Sequence, residues 1–195
     1  MVTFRKDTHE YFINNTKAIG VNELLHHFGI GLVDHIPEKY LEPARVFGTA
    51  GHLMCKFHFM GCLNEKTLDP RLQPYLIGLK KLCTAHEIIP IDIEKPICFE
   101  TLLVAGTPDL VCLFDGVKSV LDYKFVKKVQ KSSHLSTGGY RYLVNSIVKE
   151  PEELVRQVKI IHMLPGECKI VDVNEDTESQ FENLVMAYHT VRMYK

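Results

Sequence analysis

The pattern of apolar and polar residues changes along the chain, and each change predicts a different kind of element. Residues 46–61 and 70–86 predict helices, whereas 88–106 is rich in β-branched and aromatic residues, which favour strands. The full predicted order is a hairpin at 9–20, a helix ending near 29, a loop at 31–45, helices at 46–61 and 70–86, strands within 88–106, a hairpin at 106–125, a helix at 139–150, strands at 155–164 and 168–174, and a helix at 175–194. This order predicts an α/β fold in which a central mixed β-sheet is flanked by helices.

Capping and turn residues give the predicted bounds near the N-terminus. Asn15-Thr16 is the predicted turn of the first hairpin. Asn22 is a candidate N-cap, because its side-chain oxygen can accept a free backbone N–H, and Gly29 is a candidate helix end. The stretch 31–45 predicts a loop, since it contains two prolines, the second at Pro43.

Length and composition restrict the class of protein. A chain of 195 residues predicts a single domain over 1–195 with its own core, and 46% hydrophobic and 24% charged residues are typical of a soluble globular protein. No apolar run approaches the ~20 residues that cross a bilayer, and the first residues lack the apolar core of a signal peptide. We therefore expect a cytoplasmic protein with no membrane partner.

Cysteine spacing and charge give two further indications. The six cysteines, at 55, 62, 83, 98, 112 and 168, form no CxxC pair and match no zinc or iron–sulfur spacing, so they predict reduced thiols that pack as small apolar residues. The formal net charge of -1 counts mildly against nucleic-acid binding. A local basic stretch at 125–134 nevertheless holds Lys127, Lys128 and Lys131 without an acidic residue.

The second predicted hairpin brings charged residues together. Asp115-Gly116 is a strong signal for a two-residue turn, because a type I′ turn needs positive φ at both central positions. In that register Asp109 faces Asp122 across the two strands, and Lys124 lies on the same face as Asp122. The opposite face is apolar and suits a core; it carries Leu110, Cys112, Phe114, Leu121, Tyr123 and Phe125.

Two carboxylates in such a pair repel each other unless a cation or a shared proton intervenes. A divalent metal ion held by carboxylate oxygens is one solution, and a neighbouring lysine can then orient or deprotonate a water, or stabilise developing charge on a phosphate. The alternative is an exposed hairpin whose charges are solvated. The pairing of Asp109 with Asp122 does not by itself decide between the two.

Four segments, in this order along the chain, resemble the PD-(D/E)XK nuclease superfamily, and most closely its RecB-like and phage-exonuclease branch. Residues 106–111, with the sequence GTPDLV, and 121–124, with LDYK, resemble the catalytic core of that family. Residues 47–52 resemble its helical GxxxH element, and 134–140 resemble its downstream QxxxY element. The resemblance covers nearly the whole chain and implies a restriction-endonuclease-like core.

The resemblance implies a role for each matching residue. His52, Asp109 and Asp122, together with the backbone carbonyl of Tyr123, would bind one or two Mg²⁺ or Mn²⁺ ions. Asp109, Asp122 and Lys124 would be the catalytic residues. The cysteine cluster of iron–sulfur relatives is missing, so no iron–sulfur cluster is expected.

Contacts to the nucleic acid are less well specified by the resemblance. The family's glutamine is replaced by Ser136, a shorter side chain with fewer hydrogen bonds, while Tyr140 is retained. Both are candidate nucleic-acid-binding residues, as are the lysines of the basic stretch. Glu100, which precedes the hairpin, ranks second as an assisting carboxylate.

The expected function is therefore hydrolysis of phosphodiester bonds in DNA, by an exonuclease of recombination, repair or phage replication. An endonuclease of the same superfamily and a non-catalytic nucleic-acid-binding protein on the nuclease fold stay open, as does a homo-oligomer. A small-molecule enzyme is a third alternative, but the sequence has neither a glycine-rich phosphate loop nor a nucleophile elbow.

Overall fold

A computed structural model describes residues 2–5, 7–8, 10–33 and 35–194. The first residue of the predicted N-terminal hairpin, at position 9, lies outside the described residues. The elements are β1 (Val2–Arg5), β2 (Glu10–Ile13), β3 (Thr16–Gly20), α1 (Val21–His27), α2 (Glu38–Phe59), α3 (Gln73–Ala85), β4 (Ile88–Ile93), β5 (Ile97–Phe99), β6 (Val104–Gly106), β7 (Leu110–Phe114), β8 (Val117–Lys124), α4 (Lys131–Ser146), β9 (Gln157–Leu164), β10 (Glu167–Asp172) and α5 (Asp176–Met193). None of the helices in these ranges combines the length and the apolar character that a membrane crossing requires.

The strands form two mixed sheets with flanking helices, which confirms the predicted α/β class. The prediction had a single central mixed sheet, whereas the described strands divide into two. The order in one sheet is β1-β2-β3-β6-β5, and in the other it is β10-β9-β8-β7-β4. Each sheet has one parallel pair, β3 with β6 and β8 with β9. The chain between β8 and β9 contains α4, as expected, because parallel neighbours need a long crossover connection.

The sheet that contains β7 and β8 is covered on both faces. Leu110 and Leu121 pack with residues of α2 and α3, whereas Val111 and Val120 pack with α1, α4 and α5. Side chains alternate along a strand, so Asp122 and Lys124 lie on the face of Val120. The apolar face predicted for the hairpin is confirmed, because all of its residues belong to or pack against the α2–α3 core.

The Asp115-Gly116 turn and its register are also confirmed. Both residues have positive φ, 49° and 80°, and Phe114 pairs with Val117. The ladder runs in this register to the pair Leu110 with Leu121. The positions of Asp109 and Asp122 directly follow that pair, at the open end of the hairpin.

The predicted loop over 31–45 is wrong from Glu38 onward, because α2 begins there and includes Pro43. The first two turns are mostly exposed, so no apolar periodicity marks them. Glutamate, lysine, alanine and arginine are good helix formers, and Arg45 lies 2.6 Å from the Glu38 carboxylate. Pro43 removes one backbone donor, and the favourable residues around it outweigh that loss.

Two predicted positions near the N-terminus are also wrong. The first hairpin turns at Asn14-Asn15, with φ of 48° and 67°, because threonine at position 16 is β-branched and disfavours the positive φ that asparagine tolerates. Helix α1 has Gly20 as its N-cap, so Asn22 lies inside the helix. Gly29 ends it as predicted, with φ of 73°.

Helix α4 begins at Lys131, earlier than the predicted 139, and it therefore includes the whole of the segment 134–140. It packs closely against α5: a Cβ on Gly138 would lie 2.5 Å from Thr177 Oγ1, and one on Gly139 would lie 2.7 Å from the Phe181 ring. Two consecutive glycines thus let α5 approach the helix that covers the candidate site.

Candidate active site

The open end of the β7–β8 hairpin holds Asp109 through a backbone contact. Its Oδ2 accepts a hydrogen bond from the Tyr123 N–H at 2.8 Å. The carboxylate thus extends the ladder by one link beyond the pair of Leu110 with Leu121. Because strand register sets this contact, a slip of one residue would turn the carboxylate away.

Asp122 and Lys124 form an ion pair on the same face of β8. Lys124 Nζ lies 2.6 Å from Asp122 Oδ2, and the Asp122 side chain is 3% exposed. Apart from this ion pair, Asp122 Oδ2 has no hydrogen-bond partner among the described residues. The Asp122 carboxylate is therefore charge-paired and incompletely hydrogen-bonded, an arrangement that is costly in a protein interior.

His52 reaches the same point from helix α2. Its Nδ1 lies 3.1 Å from Asp109 Oδ1, and its ring packs 5.7 Å from the Phe125 ring, measured between centroids. Each oxygen of Asp109 thus has one partner, either the His52 ring or the Tyr123 backbone. The structure brings together His52, Asp109, Asp122 and Lys124 from a helix and two strands.

The surroundings shift the pKa values of the two carboxyl groups in opposite directions. Burial acts to raise the pKa of Asp109, but His52, Lys124 and the Tyr123 N–H outweigh it and hold the pKa below its usual value. Burial also raises the pKa of Asp122, the charge of Asp109 adds to this, and Lys124 opposes it incompletely. Divergent pKa values in a close pair are typical of functional sites, because two like charges there do not ionise independently.

The two basic groups become more basic in this environment. Burial acts to lower the pKa of Lys124, but the charges of Asp122 and Asp109 raise it above its ordinary value. In the same way, attraction to Asp109 outweighs burial and raises the pKa of His52. Lys124 is consequently an ammonium ion at neutral pH in this arrangement.

The donor atoms of this site suit a divalent metal ion in type but are not arranged to hold one. Among the described residues, no group of three or more His, Cys, Asp or Glu side chains is arranged to hold one. Asp109 is paired with His52, and Asp122 with Lys124. The types of donor nevertheless suit Mg²⁺ or Mn²⁺, which prefer carboxylate oxygens. The incompletely hydrogen-bonded Asp122 Oδ2 is an oxygen that a cation could use.

The glycine that the site requires is Gly51, not the Gly48 of the GxxxH pattern. A Cβ on Gly51 would lie 2.6 Å from Phe125 Cζ, whereas one on Gly48 would have nothing within 4 Å. Phe125 follows Lys124 in sequence and packs against His52. Gly51 therefore lets the end of the hairpin approach α2. In the sequence, only its position next to His52 indicates that this glycine belongs to the site.

We expect opposite stability effects from alanine at these two glycines. Gly51→Ala should lower the free energy of unfolding by about 1–3 kcal/mol, because the Phe125 ring must move within a packed cluster. Gly48→Ala should raise it by about 0.5–1 kcal/mol, because alanine is the better helix former and meets no neighbour. Urea unfolding of both variants checks this, and equal effects would contradict the assigned role of Gly51.

Ser136 and Tyr140 lie inside the structure. The Ser136 hydroxyl donates to the Ser133 carbonyl at 3.0 Å within α4. Tyr140 is 8% exposed. Burial, together with the charges of Asp122 and Asp109, raises the Tyr140 pKa well above its ordinary value. Contact of these residues with nucleic acid stays a prediction; here they support the site from the core.

A cavity of about 130 Å³ lies beside Lys124. It is lined by residues of α1 and α4, including Asn22, His26 and Ser136. The sequence assigned no functional role to Asn22 or His26. Their spacing of four residues puts both on one face of α1, but which face meets Lys124 depends on tertiary packing.

The remaining candidates lie farther out on the surface. Lys127, Lys128 and Lys131 are exposed, in the segment from β8 to the first residue of α4. Glu100 is exposed at the start of a short 3-10 helix between β5 and β6. Contact of the three lysines with phosphates stays a prediction, and so does the assisting role of the Glu100 carboxylate.

Comparison with known proteins adds no relative: no model of a protein family matches the sequence, and no curated protein matches it either.

Proposed function

We propose that this protein is a metal-dependent nuclease that hydrolyses phosphodiester bonds in DNA. The observation that carries the proposal is the convergence of Asp109, Asp122 and Lys124 on one face of one hairpin, with His52 from α2 against Asp109. A fold would avoid placing the buried Asp122 carboxylate where the charge of the partly buried Asp109 acts on it, unless the pair served a purpose. The resemblance to the PD-(D/E)XK superfamily is consistent with the same function.

In the proposed reaction, Asp109, Asp122, His52 and the Tyr123 carbonyl would hold Mg²⁺ or Mn²⁺. The ion, when bound, supplies Lewis acidity to the scissile phosphate and acidifies a water. The register of β7 and β8 holds Asp109 beside the Tyr123 N–H, so this carboxylate keeps its position without needing the ion. Burial beneath α4 excludes bulk water from Asp122.

Lys124 would position or deprotonate the attacking water, or stabilise charge on the phosphate. As an ammonium ion it can donate a hydrogen bond to a phosphate oxygen or to a water. Its side chain is 24% exposed and lines the cavity beside α1 and α4. A partly accessible ammonium at this position suits an anionic substrate.

The substrate would be DNA, and the protein would act in the cytoplasm, or in the bacterial host cytoplasm if a phage encodes it. The exposed Lys127, Lys128 and Lys131 follow directly on the strand of Lys124 and can contact phosphates. An exonuclease is the preferred subtype, on the resemblance to phage exonucleases; an endonuclease of the same superfamily is the alternative.

A cleavage assay tests the proposal. We expect end-labelled linear DNA to be degraded with Mg²⁺ or Mn²⁺ and to stay intact with EDTA. Degradation of linear duplex but not of closed circular DNA would support the exonuclease, and nicking or linearisation of the circle would support the endonuclease. A pure, folded protein that cleaves neither duplex nor single-stranded DNA with either metal would refute the nuclease proposal.

A non-catalytic nucleic-acid-binding protein is the second candidate, and the internal pairing of the site favours it. Asp109 with His52 and Asp122 with Lys124 already balance much of the charge without a metal ion. Calorimetric titration with Mn²⁺ separates the candidates. A nuclease should bind Mn²⁺ and lose that binding in Asp109→Ala, whereas DNA binding without Mn²⁺ binding or cleavage would favour the second candidate.

A further inference from the structure

A second ion pair joins helix α2 to the sheet beside the candidate site. Lys56 Nζ lies 2.7 Å from Glu94 Oε2, and each side chain is 23% exposed. The comparable pair of Lys80 with Glu65 has side chains about half exposed, at 47% and 50%. Because the Lys56–Glu94 pair is better shielded from water, it can hold its two elements together more firmly.

Glu94 also contacts the backbone of Asp109. It follows β4 directly, and its N–H donates to the Asp109 carbonyl at 3.0 Å. Its φ is 44°, a left-handed conformation that a residue with a side chain rarely adopts. Such a conformation persists when the surroundings hold it in place, and the Lys56 contact is one such restraint.

Lys56 and His52 are one helical turn apart, so they lie on the same face of α2. His52 contacts the Asp109 side chain. Lys56 contacts Glu94, whose N–H donates a hydrogen bond to the Asp109 carbonyl. Helix α2 is therefore linked to Asp109 twice, directly at the carboxylate through His52 and indirectly at the main chain through Glu94. Two such attachments restrict both the position and the rotation of α2 against the hairpin.

We propose that Lys56 and Glu94 are positioning residues, which set the geometry between His52 and Asp109 without contacting the substrate. This inference rests on the proposed nuclease function for its catalytic consequence. The structural part, that Lys56 holds Glu94 against Asp109, can be tested separately. A displacement of about 1 Å in a catalytic group can reduce the rate roughly 10²-fold, so a restraint of this kind has a measurable effect.

The first experiment uses amide hydrogen exchange, without metal or DNA. In Lys56→Met the Glu94 amide should exchange at least tenfold faster than in the wild type, because its hydrogen bond to Asp109 loses support. Lys80→Met, which breaks the exposed pair, should leave the Glu94 amide unchanged. Unchanged Glu94 exchange in Lys56→Met would overturn the proposal, as would acceleration of all the core amides together, which indicates general destabilisation.

The second experiment measures cleavage kinetics. Lys56→Met should lower kcat about tenfold or more, per folded molecule, with KM for DNA unchanged, because Lys56 does not contact the substrate. Glu94→Gln keeps a hydrogen-bond acceptor for Lys56, so its kcat should fall less. Lys56→Glu combined with Glu94→Lys should recover part of the lost kcat. A rise in KM alone, or equal losses in Lys80→Met, would overturn it. A wild-type protein that cleaves no DNA refutes the proposed function. Hydrogen exchange then still tests whether Lys56 holds Glu94 against Asp109.

Discussion

Asp122→Asn should abolish DNA cleavage, with a loss of roughly 10³-fold or more, while the protein stays folded. The asparagine is nearly isosteric but neutral, so it cannot supply the negative charge that holds a metal ion. Asp172→Asn is a suitable control, because Asp172 also pairs with a lysine but is 82% exposed. Cleavage by Asp122→Asn at the wild-type rate would remove Asp122 from the mechanism.

The same variant should lose little stability. The pKa of Asp122 is raised in the folded state. Such a carboxyl group stabilises the folded protein at a pH below its ordinary pKa, and this stabilisation is lost as the pH rises through the pKa of the folded state. At neutral pH the ionised Asp122 therefore opposes folding, and the neutral asparagine removes that penalty while leaving Lys124 unpaired. We expect urea unfolding at neutral pH to give a free energy within about 1 kcal/mol of the wild type. A loss of about 3 kcal/mol would instead indicate a structural role.

Lys124→Met should also abolish cleavage, but with a large loss of stability. Removal of the ammonium leaves Asp122 buried beside Asp109 without its partner, which should cost about 2 kcal/mol or more at neutral pH. Because Lys124 lowers the pKa of Asp122, its removal raises that pKa further. The destabilisation should then decrease as the pH falls through the raised pKa of Asp122, since protonation removes the repulsion.

Urea unfolding of Lys124→Met across the acidic to neutral range measures this effect. Lys159→Met is the matched control, because Lys159 is 16% exposed and its partner, Asp172, is well solvated. That variant should show a smaller loss with little pH dependence. Combining Lys124→Met with Asp122→Asn should restore most of the stability without restoring cleavage. A pH-independent loss in Lys124→Met would show that packing, not charge, explains it.

The hairpin could be predicted closely, because its determinants are local. Asp115-Gly116 specifies the turn, and the turn specifies the register that the structure shows at Phe114 and Val117. Alternation along β8 then puts Lys124 on the face of Asp122. Errors occurred where competing local signals were nearly balanced: Pro43 suggested a loop within α2, and Asn22 was a better cap by residue type than Gly20.

Other features depend on residues far apart in sequence. The contact of His52 with Asp109 spans 57 positions, and that of Lys56 with Glu94 spans 38. Neither pair leaves a local pattern, because helical spacing shows which residues share a face but not what that face meets. The need for Gly51 is of the same kind, since it follows from where the Phe125 ring lies.

By itself, the sequence determined the α/β class, the turn, and the strand alternation that puts Asp122 and Lys124 on one face. These follow from backbone preferences and side-chain periodicity, which act over a few residues. The tertiary structure alone decided that Tyr140 is buried, and that α2 is linked to Asp109 both directly through His52 and indirectly through Lys56 and Glu94. Packing decides these features, because burial and charge pairing depend on which elements meet in space, and no local pattern encodes that meeting.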